Sequence, residues 1–355
     1  MNIKKLIART INRFVKINSY KPISCNIDEK RIKLSLNKIK YHPSLANGAP
    51  IGISTLDGND QATHPKILSV KINNAPIFLM GINSYPFTDA RYENPELLIS
   101  YDGISFTNYS GSIIDIPDDV NSGGHFSDIH LTMKDNMFYV FYRYNPAKNT
   151  TFRRRSDNSK NFLFYKTSLD CKTWSERKLL FHPNSFDNTY RYFSPVVNFE
   201  DNEFRIWFTN DSGKLIYLRS KNLIDFSSPI ECSIENANEI IIWHQDIIKT
   251  DKGYELICCG WDRNKGCYEK QNIYAALSQD GIHFSKLKII MMPSKSGFDC
   301  KSLYRPTFYK KNGVYYVYYA AYDKKEEWHI GLSCGLELEK LIGFQYIQSK
   351  ERVNI

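Results

Sequence analysis

The stretch SDIHLTMKDNMFYVFYRY (127–144) decides the architecture. It reads as a strand, a Lys-Asp-Asn turn and a second strand packed with aromatic and β-branched residues, the composition of a buried hairpin. The same pattern recurs as HPKILSVKINNAPIFLMGI (64–82), SPVVNFEDNEFRIWFTN (194–210), HQDIIKTDKGYELICCGW (244–261) and YRPTFYKKNGVYYVYYAA (304–321). Each copy is followed by a second element, a strand ending in Ser, a turn and an apolar residue: LLISYDGISF (97–106), FYKTSLDCKTW (164–174), IYLRSKNLIDF (216–226), IYAALSQDGIHF (273–284) and HIGLSCGLELEKL (329–341). Asp-Gly at 102–103 and 280–281 is hairpin-turn chemistry. Two hairpins per repeat make a four-stranded antiparallel blade, and five ordered repeats predict an all-β, five-bladed β-propeller. Two stacked sheets would leave the strict fivefold pairing unexplained. Residues 41–59, with LANGAPIG, read as a linker or as the segment that closes the ring.

The 355 residues carry a formal charge of +9, from 47 Lys and Arg against 38 Asp and Glu. Residues 1–40 hold eleven bases against two acids, so the remainder is electrically balanced. A balanced body disfavours nucleic acid as a partner. Within the arm, Ile3, Leu6, Ile7, Ile11, Phe14 and Val15 share one helical face, and the bases fall elsewhere. The expected division is therefore a basic, helical N-terminal arm over 1–40 and a propeller over 41–355. Such an arm either docks on its own domain or contacts a membrane surface or partner. In MNIKKLIARTINRF, Arg9 and Arg13 interrupt any signal-peptide core. The eight cysteines form no C-x-x-C pair. The expectation is a cytoplasmic protein with reduced thiols, peripheral to the inner membrane face if the arm binds lipid.

In a propeller, ligands sit where the innermost strands begin. Aligning the repeats on the first aromatic after each turn (Phe138, Phe204, Tyr254, Tyr315) puts Asp128, Ser194, His244 and Arg305 at the channel mouth, with His64 nearest in the first blade. Strand alternation adds His130 and Asp246 to the same faces. Loops above the mouth contribute Asp57 and Asp60, Arg91-Tyr92-Glu93-Asn94-Pro95, Gly123-Gly124-His125 and Arg143-Tyr144. Trp243 and Trp261 bracket a hairpin and offer sugar-stacking faces, with blade packing as the plainer role for Trp261. Polar residues at an axis can also simply bind water, but three histidines, two aspartates and an arginine exceed what hydration requires.

At this point the chain resembles the five-bladed propeller glycosidases, glycoside hydrolase family 43 and its relatives, over residues 60–345. The resemblance rests on the T-H-P-x-[IL]-L start (63–68), Y-E-N-P (92–95), the S-x-D-G-[IV]-x-F turns and S-D-I…Y-x-F-Y-R (127–143). It implies three catalytic carboxylates on the inner strands of the first three blades: a base Asp, an Asp tuning the acid, and an acid Glu. Only the second is matched, by Asp128; His64 stands at the base position and Ser194 at the acid position. The triad is broken, so the family's activity does not carry over.

Glycoside cleavage needs a protonated acid and a second carboxylate about 5–9.5 Å apart. The residues available are Asp128 and Asp246, with Glu93, His64 or His244 as proton donor; relatives of this fold are thought to use a histidine so. Substrate-binding positions are His64, His244, Arg305, Asp60, Arg143 and Trp261. No organic cofactor motif occurs: there is no G-x-x-x-x-G-K-[ST], G-x-G-x-x-G or G-x-S-x-G. A structural cation at the axis is an open alternative, with His64, His130, His244, Asp128 and Asp246 as its ligand pool. The S-x-D-G-x-x-F turns also approach a sialidase Asp-box, but with the glycine one place early and no arginine triad. The sequence thus predicts a carbohydrate-active protein, a glycoside hydrolase or transglycosidase taking a glycan or glycoconjugate at the channel mouth. The alternative is a surface-polysaccharide assembly protein at the cytosolic membrane face, transferring or binding glycan without hydrolysis.

Overall fold

A computed structural model describes residues 32–33, 35, 41–72, 75–147, 161–182, 185–186 and 192–348. The amphipathic face expected between Ile3 and Val15 lies outside them. The described residues form five antiparallel sheets in chain order. Their inner strands are Ala62–Ile72, His125–Lys134, Phe193–Glu200, Ile240–Thr250 and Ser302–Lys311. Each pairs with the strand that follows it, and adjacent inner strands touch around the ring, with the last against the first. This is a five-bladed β-propeller.

The strands are apolar on both faces because every blade is sandwiched between two others. Five separate cores result, one per blade junction. Val197, Phe204 and Phe141 fill the junction of blades 2 and 3, for instance, and Val196, Trp207 and Leu256 that of blades 3 and 4. Tyr318, Phe106 and Ile330 join blade 5 to blade 1. The chain N-terminal to blade 1 reinforces that last junction. Ile51 N donates to Ile330 O of blade 5 at 2.8 Å, and Gly52–Ser54 runs parallel to Ser105–Thr107 of blade 1. Gly48 makes this passage sterically feasible, since a Cβ there would stand 2.0 Å from Leu332 O.

The turns explain the recurring serine. In blade 4, Ser278 Oγ accepts from Gly281 N at 2.9 Å, while Asp280 Oδ1 accepts from Ile282 N and His283 N at 2.9 and 2.8 Å. Ser100/Asp102, Ser168/Asp170 and Ser220/Asn222 repeat the arrangement in blades 1 to 3. These side chains satisfy backbone donors that a tight turn leaves unpaired.

One irregularity positions the functional residues. Every inner strand carries a β-bulge at the same level, with register shifts at Thr63/Lys66, Ser127/His130, Phe193/Val196, Ile242/His244 and Tyr304/Pro306. His64, Asp128 and Ser194 adopt left-handed backbone there, at φ +51°, +59° and +49°. A bulge inserts one residue and re-aims its side chain. Five blades therefore direct side chains to one point on the axis.

Candidate functional site

Asp128 is the hub. Its carboxylate is fully buried, and Oδ2 accepts from Arg143 Nε at 2.7 Å and from the Ser194 backbone N at 3.1 Å. The other oxygen, Oδ1, lies 3.2 Å from His64 Nε2, 3.5 Å from His244 Nδ1 and 3.8 Å from Arg305 Nη1. Asp128 Oδ1, His64 Nε2 and Arg305 Nε and Nη1 make no hydrogen bond within the protein. Buried polar atoms are rarely left so, and several together mark a place built for something else.

Each imidazole is fixed from behind. His64 Nδ1 lies 3.3 Å from Glu93 Oε1. Glu93 reaches down from a loop of two 3-10 turns, Pro86–Thr88 and Ala90–Tyr92, and its other oxygen is 3.5 Å from His125 Nε2. His244 Nε2 is 2.6 Å from the Tyr304 hydroxyl, and its Nδ1 is in close contact with Ser194 Oγ. The Tyr304 hydroxyl also accepts from Trp243 Nε1 at 3.1 Å and is hydrogen-bonded to Tyr268.

Burial controls the protonation states. It drives the His64 imidazole down to about 3 and that of His244 well below its ordinary value, against the pull of Asp128. Both rings are neutral near pH 7 and offer a lone pair. Burial pushes Glu93 up to about 8, helped by Asp128 and opposed by Arg143. Burial alone would also raise Asp128, but Arg143, the two histidines and Arg305 outweigh it and hold the carboxyl far below the usual range. The centre thus contains one firmly ionised carboxylate, a second that is largely protonated at neutrality, and two neutral imidazoles.

His64, Asp128 and His244 can hold a metal ion, since their ligand atoms all lie within 4.8 Å of one another. A tetrahedron of N and O ligands at about 2.0–2.1 Å has edges of about 3.3–3.4 Å, and Asp128 Oδ1 lies 3.2 and 3.5 Å from the two rings, on either side of that value. The supporting contacts also suit a metal. Glu93 stands behind His64, Tyr304 behind His244, and Arg143 with Ser194 N behind Asp128, the outer partners that fix ring and carboxylate orientation in metal sites. Two imidazoles and a carboxylate favour a first-row divalent ion over Ca2+.

The remaining residues singled out in the sequence fall elsewhere. Asp246 lies one step further along its strand and is held by Lys66 Nζ at 2.7 and 2.9 Å, Thr307 Oγ1 at 2.7 Å and Ile247 N at 3.0 Å. It is the anion of a buried ion pair in the channel wall, which departs from the expectation that it faces Asp128 over a substrate. His130 leaves the ligand pool because the bulge at 128–129 breaks the alternation; its Nε2 accepts from Val197 N at 3.0 Å. Asp60 staples the turn before blade 1, with Oδ1 accepting from Thr55 N at 3.2 Å. Arg143 is spent on Asp128, whereas Arg305 is buried beside it. Trp261 is half-buried, 6.3 Å from Trp243 and 5.8 Å from Tyr268 between ring centroids. Tyr304 and Tyr268 were not among the sequence expectations. Tyr304 is the residue before the Arg305 bulge, a position the repeat alignment could have supplied; Tyr268 sits in the loop between the two hairpins of blade 4, the counterpart of the Glu93 loop of blade 1, and its local sequence carries no signal.

No protein-family model matches the chain, and no curated protein does. Solved structures match over most of its length. An N-acetylgalactosamine deacetylase from F. plautii, solved with blood group B trisaccharide, aligns with a TM-score of 0.65 at 17% identity, covering 82% of this chain and 96% of that one. An exo-1,5-alpha-L-arabinanase from a bovine ruminal metagenomic library aligns at 0.52 and 13% identity, over 83% and 96%. A GH130-family structure, from the mannoside phosphorylases and glycoside hydrolases that target beta-1,2 mannosidic linkages in Candida mannan, aligns at 0.52 and 14%, over 81% and 91%. At these identities the likeness is one of architecture: the chain has the five-bladed propeller fold found in several carbohydrate-active enzymes.

Proposed function

We propose that the protein is a carbohydrate-active hydrolase whose centre binds a divalent cation between His64, Asp128 and His244 and removes an acyl group from an acylated amino sugar. The carrying observation is the convergence of His64 Nε2, Asp128 Oδ1 and His244 Nδ1 on one point, each held from behind by a second contact. A bound cation would supply an activated water and polarise the acyl carbonyl. The chain's own groups do the rest. Glu93 fixes His64 and is a proton source for the departing amine, Tyr304 orients His244, and Arg305 offers unpaired donors to developing negative charge. The likeness to a deacetylase of the same architecture supports the reading.

The test is metal analysis of the purified protein, together with acetate release from N-acetylhexosamines and their oligosaccharides. Expected are one equivalent of a first-row metal, acetate release that chelator abolishes, and loss of both in His244→Ala. A protein that neither retains metal nor releases acetate would refute the proposal. A glycosidase reading is favoured by one specific pairing, Glu93 as protonated acid and Asp128 as ionised partner, linked through His64. It predicts new reducing ends insensitive to chelator. A role at a membrane face rests on the basic arm alone; vesicle flotation of the full chain and of a chain lacking residues 1–20 tests it.

A further inference from the structure

One side of the channel mouth is aromatic. Trp243, next to His244, packs on Phe193 at 4.9 Å, and Phe193 is in turn covered by the Arg143 guanidinium at 4.7 Å. Tyr268 meets Trp243 and Trp261 edge-on, at 5.5 and 5.8 Å. Tyr268 is 45% exposed and the two tryptophans are half-buried. Trp261 and Tyr268 belong to none of the five interblade cores, so blade packing does not account for them. Polar groups also reach the mouth: His125 with Glu93, and Arg143 with Asn145.

We infer that Trp243, Trp261 and Tyr268 form a stacking platform for a pyranose ring of a neutral or N-acetylated oligosaccharide, seated one ring outward from the reacting centre. The inference rests on the reading of that centre as carbohydrate-active. A pyranose presents C–H groups on one face and hydroxyls around its rim, which matches a mouth that offers both aromatic faces and polar groups. The position follows from the chain of contacts. Trp243 is 5.5 Å from His244, and Trp261 is 6.3 Å from Trp243, with no ring contact of its own to His64 or His244. Tyr268 joins platform to centre, because its hydroxyl bonds Tyr304 while its ring faces both tryptophans. The platform therefore selects a sugar within a chain over the same sugar alone.

The experiment uses the full chain, stripped of metal, on a printed array of N-acetylhexosamine-containing oligosaccharides and the parent monosaccharides. Tryptophan fluorescence titration then follows with the best-retained glycan. Wild type should retain oligosaccharides in preference to monosaccharides. Trp261→Ala and Tyr268→Ala should each weaken the midpoint about tenfold or more, and Tyr268→Phe should retain most of the binding. Tyr268 is exposed on a loop, so its variants test the platform even if Trp261→Ala folds poorly. A wild type that retains no glycan, or unchanged midpoints in Tyr268→Ala, overturns the platform. Metal content measured on the protein as purified, before stripping, separates the two proposals: a protein that carried metal but retains no glycan overturns the platform alone, and one that carried no metal but retains glycan overturns the metal centre alone.

Discussion

Replacing Asp128 by Asn tests the electrostatics of the centre independently of any reaction. Asp128 is wholly buried, and it neutralises Arg143 at 2.7 Å and faces Arg305 at 3.8 Å. An amide there would leave the buried Arg305 and the half-buried Arg143 guanidinium without their counter-ion. Removing one partner of a buried pair costs about 3–5 kcal/mol. At about 2.1 cal/mol/K per residue, a propeller of roughly 300 residues unfolds with about 0.6 kcal/mol/K of entropy, so the melting temperature should fall by about 5–8 °C. The assay is thermal denaturation in chelator, with wild type, Asp128→Asn, Arg143→Met and the double variant. Met in place of Arg143 keeps an apolar stem over Phe193, so the double variant should recover much of the loss. Because the Asp128 carboxyl is held below its ordinary value, its stabilisation is complete above an unfolded value of about 4 and disappears only as pH falls through the folded value. Asp128's own titration therefore adds no pH dependence to the gap between wild type and variant from pH 6 to pH 8; the gap should narrow towards pH 8 only through Glu93, whose ionisation the Asp128 charge opposes. A fall under about 2 °C, or an equal fall in the Arg143→Met background, would refute the reasoning.

Asp246→Asn should lower stability by a comparable amount, through loss of the Lys66 pair, while turnover measured well below its melting temperature persists; abolished turnover would return Asp246 to the catalytic group. Gly48→Ala should weaken closure of the ring by at least about 3 kcal/mol, since the methyl would meet the Leu332 carbonyl, and the loss should show in urea midpoints and in proteolysis between residues 41 and 59. Ser278→Ala removes a turn acceptor and should cost about 1 kcal/mol by denaturant titration, adding to Ser100→Ala because those turns lie in different blades.

The blades were legible because a propeller writes its hydrophobic pattern five times, and an apolar strand ending in Ser is recognisable each time, followed by x-Asp or x-Asn in the first four blades. The level of the mouth was legible too, since aligning repeats on Phe138, Phe204, Tyr254 and Tyr315 fixes distance along the inner strand. Facing was not. His130 was assigned by simple alternation from Asp128, and a bulge between them redirects it. Asp246 does alternate with His244, but the depth of the channel separates them, and Lys66, from a blade far away in sequence, claims the carboxylate. Glu93 was named as a candidate proton donor from its place in a loop above the mouth; what gives it its properties is burial against His64 and His125, which local sequence does not record. Tyr268 gave no signal because the loops between the two hairpins of a blade differ in length and sequence, so aligning the strands says nothing about which loop residue reaches the centre.

The five bulges have a consequence for how such a centre changes. Each adds one residue to a strand whose hydrogen-bond ladder continues undisturbed on either side. The backbone ladder supports these positions, so His64, Asp128, Ser194 and Arg305 behave like sockets on a common frame. A single substitution at one socket alters the donor set while the backbone of the other three keeps its geometry. Chemistry at such a centre can therefore change by replacement at one bulge, but at a buried, charge-paired socket such as Asp128 the replacement must also satisfy the arginines left behind.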